Sequence, residues 1–167
     1  MKKILALLVL VLSISLMLAG CGLTVPRPEI KRGEFDFSVT YELNGERVTV
    51  SGVYVCKYNG TKWALDGGSH RDWKAYVKDG METQIEIGAT EDGGTIWLNL
   101  GLYPEYFMGD PDWISRGAPE PWLSVAITDG EGTSIQNEAD VIAEVYGARI
   151  VSYEYETPIK NAFGLFK

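Results

Sequence analysis

The sequence predicts a mainly β protein: a single antiparallel β-sandwich or barrel-like domain with one short helix near the C-terminus. Three observations carry this. Apolar residues take every second position at Phe35, Phe37, Val39, Tyr41 and Leu43, which is the period of a half-buried strand. Asn44-Gly45 and Asp92-Gly93 each lie between two such runs and supply the residue types that tight hairpin turns require. Seven or more short strand-like segments with tight turns then follow within one domain, the arrangement of sandwiches and barrels.

The first hairpin is specified on both faces. A two-residue turn at Asn44-Gly45 pairs Tyr41 with Val48, Val39 with Val50, Phe37 with Gly52 and Phe35 with Tyr54 on the apolar side. On the polar side it pairs Thr40 with Thr49 and Glu42 with Arg47, both favourable cross-strand partners. A second Asn-Gly at Asn59-Gly60 is expected to turn the chain back, setting Cys56 opposite Trp63 and Tyr54 opposite Leu65. Cys56 then becomes a small core residue with an inert thiol, although the same register sets Lys57 beside Lys62. Asn59-Gly60-Thr61 also matches a glycosylation acceptor, but its role as a turn suffices. Further on, a turn at Asp92-Gly93 pairs Ala89 with Ile96, Ile87 with Leu98 and Ile85 with Leu100, with Trp97 covering Gly88. Strands are expected over 73–77, 123–127 and 150–155. Only "NEADVIAEVYG" reads as a helix, with Asn137 as N-cap and Gly147 just past its end.

Ahead of the folded part, Lys2 and Lys3 precede an apolar run from Ile4 to Leu18 interrupted only by Ser13 and Ser15. That is a positive n-region and an h-region, too short for the roughly 20 residues that span a bilayer. Leu18-Ala19-Gly20-Cys21 follows and resembles the lipobox of bacterial lipoproteins. The resemblance implies a signal peptide over 1–20 and diacylglyceryl attachment to the Cys21 thiol, with a palmitate-type acyl anchor holding the chain to the cell membrane on the outer side. Two acyl chains give stable attachment at about 0.8 kcal/mol per buried methylene. The organisation expected is a signal peptide over 1–20, lipidated Cys21 and an extended tether over 21–33, and a β-rich domain over 34–163. Pro26 and Pro28 favour an extended spacer, which reads as a solvated linker because its three cations, Arg27, Lys31 and Arg32, are fewer than usual lipid-binding clusters; the alternative is that they sit near lipid headgroups. "GEFDFSVTYELNGE", "YVCKYNG", "YFMGDPD" and "YGARIVSYEYETPIKNAF" resemble segments of small lipoproteins of Gram-positive bacteria without assigned activity. That likeness implies a location and no chemistry.

Removal of residues 1–20 takes Lys2 and Lys3 and leaves 147 residues with 13 basic and 23 acidic side chains, a net charge of −10. Such a charge argues against nucleic acid as a partner and against broad adhesion of the folded part to anionic lipid, the tether excepted. With Cys21 lipidated, Cys56 has no partner for an internal disulfide. The single histidine, His70, lies in the turn-rich "DGGSHRDW" with no nucleophile-elbow pattern around any serine, so it reads as a surface loop histidine. One histidine and one unlipidated cysteine make a poor zinc set, and no cofactor is implied. Asp110 and Asp112, or Asp129 with Glu131, could offer oxygen to calcium, but Gly, Pro and Asp at that density mainly make turns.

"YPEYFMGDPDWISRGAPEPW", from Tyr103 to Trp122, breaks the strand pattern with five aromatics and four prolines. It reads as a long ordered loop, a common site of binding on β scaffolds. Tyr103, Tyr106, Trp113 and Trp122 are the candidate contact residues for an envelope protein or a glycan, against the alternative that they fold down as a lid over the sandwich end. Two functions follow: a non-enzymatic, membrane-tethered binding module, or a small ligand-binding or hydrolytic accessory lipoprotein that uses the acidic residues of this loop.

Overall fold

The computed structural model describes residues 25–63, 68–114, 117–129 and 132–164; the signal segment, Cys21, Leu65 and Glu131 lie outside them. The fold is mainly β, with three antiparallel sheets and few helices. In chain order the elements are β1 (Arg27–Pro28), β2 (Arg32–Leu43), β3 (Glu46–Trp63), β4 (Ser69–Val77), β5 (Gln84–Ala89), β6 (Thr95–Asn99), α1 (Pro104–Phe107), α2 (Pro111–Ile114), β7 (Trp122–Asp129), β8 (Gly132–Gln136), α3 (Ala139–Tyr146), β9 (Ala148–Tyr155) and β10 (Phe163–Gly164). One sheet has the order β4-β3-β2-β9, a second β5-β6-β7-β8, and β1 pairs with β10 in a third.

The core lies between the two four-stranded sheets. Phe35, Phe37, Val39 and Tyr41 of β2, with Tyr54 and Cys56 of β3, meet Ile96 and Leu98 of β6 and Leu123 and Val125 of β7. Alternation builds this directly, because one side chain in two along each strand faces the other sheet. The first hairpin takes the expected register at all six pairs from Phe35↔Tyr54 to Glu42↔Arg47. Asn44 and Gly45 adopt positive φ angles of 51° and 85°, as a type I′ turn requires. On its outer side Thr40 and Thr49 join hydroxyls at 2.9 Å, and Glu42 accepts from Arg47 at 3.0 Å.

Asn59-Gly60 is not a turn. β3 runs on to Trp63, Cys56 stands opposite Ala75 and not Trp63, and Tyr54 stands opposite Val77 and not Leu65. The Asn-Gly pair instead makes a bulge between Tyr58 and Gly60, where glycine takes the positive φ. Two contacts with β4 hold it: the Asn59 amide donates to the Asp72 carboxylate, and the Tyr58 ring meets Trp73 edge-on at 5.4 Å. Lys62 is thereby carried away from Lys57 to an ion pair with Asp72 at 2.7 Å. His70 is exposed and belongs to β4, not to a loop.

The β5–β6 connection also differs from the expected two-residue turn. Only Gly93 takes a positive φ there, and Thr90 closes a wider loop, exchanging backbone hydrogen bonds with Gly93 and Gly94 at 3.1 and 2.9 Å. The register slips accordingly: Ile85 pairs with Leu98, Glu86 with Trp97 and Gly88 with Ile96, with the irregularity between Glu86 and Gly88. Helix α3 begins later than expected, with Glu138 and not Asn137 at the N-cap position and no side-chain capping bond. Its end is as expected: Gly147 is left-handed at φ 61°, and its carbonyl accepts the Asn44 amide at 2.9 Å, fastening the helix to the first turn.

The segment read as a tether enters the fold well before Glu34. Arg27 and Pro28 pair with Gly164 and Phe163, the Glu29 amide donates to Ala162, and Ile30 exchanges two hydrogen bonds with the Asn161 side chain. Arg32 and Gly33 are already part of β2. Among the described residues, no helix is long and apolar enough to cross a membrane.

Candidate functional site

The stretch from Tyr103 to Trp122 is not an open loop. Pro104 starts the single turn of α1, a position at which its fixed φ and missing N–H cost nothing. That turn drives Phe107 and Met108 fully into the core. The Phe107 ring lies 5.0 Å from Phe35, 5.6 Å from Tyr54 and 6.1 Å from Tyr155, so the segment plugs one end of the sandwich. Tyr54 secures it from below, its hydroxyl donating to the Leu102 carbonyl at 3.0 Å. Gly101 makes the approach possible: it is left-handed at φ 63°, and a Cβ there would meet the Glu120 carbonyl oxygen at 2.1 Å.

The four candidate aromatics separate. Tyr103 and Trp113 stack on one another at 5.4 Å with 24° between planes, Tyr103 exposed and Trp113 half-buried. Tyr106 sits edge-on against Phe107 at 5.4 Å and belongs to the plug. Trp122 is exposed on β7, in register with Asn99. The lid expected as the alternative is therefore real for Tyr106 and Phe107, while Tyr103 and Trp113 form a pair at its rim.

Beneath that rim lies a charged centre that sequence reasoning missed on one side. Arg71, buried on β4, donates from Nε and Nη2 to the two carboxylate oxygens of Asp110 at 2.6 and 2.7 Å, and Trp73 Nε1 donates to the same carboxylate at 2.9 Å. Burial pushes the Asp110 pKa up, but the bonds from Arg71, Trp73 and the Asp112 amide outweigh it, and the net shift is downward. Arg71 also pairs with the largely exposed Asp112, donates to the Pro26 carbonyl at 3.2 Å, and lies 4.8 Å from the centre of the Phe163 ring. Asp110 and Asp112, considered for calcium, thus hold a guanidinium. Alternation on β4 was the available signal, since it puts Arg71 on the same side as Trp73 and Ala75.

Cys56 is wholly buried and free. Burial, with a smaller contribution from Glu105, pushes its thiol pKa up to about 12. A thiol reagent at neutral pH is expected to label Cys56 only after denaturation; rapid labelling of the folded protein would contradict this. Cys56→Ser is expected to cost about 1–3 kcal/mol, because a more polar hydroxyl takes the buried site. Glu105 itself has its pKa raised by burial and by Asp110 and Asp72, against a lowering hydrogen bond from its own backbone and the charge of His70.

A concavity of about 680 Å³ lies where the chain crosses from β4 to β5, lined by Tyr76, Lys78, Asp79, Met81 and Glu82 among others. His70 is at the opposite end of β4 from it. Among the described residues, no group of three or more His, Cys, Asp or Glu side chains is placed to share a metal ion. Comparisons of the chain with protein-family models, with curated proteins and with solved structures return no match.

Proposed function

We propose that this chain is a membrane-anchored, extracytoplasmic lipoprotein whose β-domain is a non-enzymatic binding module for an envelope protein or a glycan. The Leu18-Ala19-Gly20-Cys21 motif supports the anchoring. The observation that carries the binding reading is the stacked Tyr103–Trp113 pair, whose backbones are fixed by the Phe107 amide donating to the Tyr103 carbonyl at 3.4 Å and the Trp113 amide donating to the Asp110 carbonyl at 2.9 Å. A ring pair fixed in this way can accept a sugar face or an apolar side chain with little further loss of freedom. The engagement of Asp110 by Arg71 and Trp73 favours this reading over a hydrolytic one, since an ionised carboxylate committed to a buried ion pair makes a poor general acid.

The test is retention of partners from detergent-solubilised envelope by the full chain and by Trp113→Ala. Loss of the stack is expected to cost only about 0.5–1.5 kcal/mol of stability, while retention of the captured partner falls by at least about tenfold, the effect of losing a central aromatic anchor. Unchanged retention would remove Trp113 from the binding surface. A stability loss of about 3–5 kcal/mol would mark it instead as part of the plug.

A further inference from the structure

The charge of the domain is divided along its chain. Residues 25–78, which form β1 to β4, carry nine Lys or Arg against seven Asp or Glu; residues 79–156, which form the second sheet, the helices and β9, carry two against sixteen. Strand register concentrates the basic side further. Arg32 pairs with Lys57 and Lys57 with Lys74, so three exposed cations stand abreast in one row across β2, β3 and β4. Like charges set directly opposite one another weaken a sheet. Arg32 is relieved by Glu34 at 2.8 Å, but Asp72, which shares a face with Lys74, is taken by Lys62 at 2.7 Å. Among the described residues, Lys57 and Lys74 form no ion pair. Lys57 and Lys74 thus stand side by side without an ion-pair partner of their own, with Glu34 and Asp72 flanking the row on the same face.

We infer that the Arg32–Lys57–Lys74 row is the face on which the domain rests against anionic phospholipid headgroups of the membrane holding its anchor. The inference rests on the lipoprotein reading of Cys21. Chain length supports the occupant: the fold begins at Arg27, six residues after Cys21, and six extended residues reach at most about 20 Å. The chain then enters the first sheet at Arg32, in the row itself. Charge supports it as well, because an anionic surface attracts this row and repels the acidic residues 79–156, which fixes which way the domain faces. One amphipathic ring stands on the same face, Tyr76, two residues beyond Lys74 on β4 and 54% exposed. Such a ring favours the headgroup level.

The test uses the lipidated protein extracted from bacterial membranes and reconstituted into vesicles of phosphatidylcholine alone, or with about one third phosphatidylglycerol. Lysine acetylation rates are read residue by residue by mass spectrometry. Lys57 and Lys74 are expected to react roughly fivefold more slowly on the anionic vesicles, as a basic group held near an anionic surface should. The difference should vanish at about 1 M salt, where the screening length falls to about 3 Å. Equal rates on the two vesicles would overturn the inference. So would protection on neutral vesicles by soluble polyphosphate without protection by phosphatidylglycerol, which would assign the row to a soluble polyanion. The mass of the N-terminal peptide is read in the same experiment: an unlipidated Cys21 overturns the anchoring reading, whereas a lipidated Cys21 with equal lysine rates overturns only the orientation.

Discussion

An Asp110→Ala chain is expected to lose about 3–5 kcal/mol of unfolding free energy, because it leaves the Arg71 guanidinium buried without its main partner. Both side chains of the pair are only 3% exposed, so water cannot replace the lost bonds, and the Trp73 indole N–H is orphaned with them. Removing both charges together, as in Arg71→Met with Asp110→Leu, is expected to recover most of that loss, since an apolar pair of similar volume avoids the desolvation that the ion pair must offset. The pH dependence follows from the lowered Asp110 pKa. The contribution of a depressed carboxylate is complete above its unfolded value of about 3.9 and is lost as pH falls through the folded one. Stability should therefore carry an Asp110-dependent decline only below about pH 4, absent from Asp110→Asn. Denaturant unfolding of the unaltered chain and the three variants across pH 2–7 measures all of this; a loss below about 1 kcal/mol for Asp110→Ala would mean that Asp112 and water satisfy Arg71 unaided.

Cys21→Ala is expected to reduce incorporation of labelled palmitate to background. The thiol is the only group at the Leu18-Ala19-Gly20-Cys21 motif that can carry the thioether-linked lipid, and stable attachment needs two acyl chains. Incorporation equal to that of the unaltered chain would refute the proposed anchor, whatever the fate of the leader.

How far the sequence could be read depended on distance along the chain. The first hairpin was legible pair by pair, because Asn44-Gly45 and its cross-strand partners lie within a few residues and both faces agree on one register. Asn59-Gly60 carries the same dipeptide, yet it became a bulge because Asp72 and Trp73, more than ten residues away, bind Asn59 and Tyr58 along a continuing strand. Thr90 likewise widened the Asp92-Gly93 turn through bonds that no turn dipeptide encodes. The Arg71–Asp110 pair joins residues 39 apart, and a one-turn helix such as α1 is too short to show a period, so the burial of Phe107 was invisible next to the exposure of Tyr103. Cys56 was placed correctly in the core through the wrong neighbour, since alternation along β3 fixed its side and only β4 could fix its partner.

The pairing of β1 with β10 orders events in time. Ile30 is bonded to Asn161 across 131 residues, so this clasp cannot close until the chain has been made as far as Asn161. Contacts of such long range are the last to repay their loop-closure entropy. Until then the segment from Arg27 to Ile30 has no strand partner. Once Phe163 arrives, the segment is locked against the sandwich by Asn161 at Ile30 and, just before it, by Arg71 at the Pro26 carbonyl. The folded domain thus ties the segment from Arg27 to Ile30 to the segment from Asn161 to Gly164, so that loosening either one frees the other.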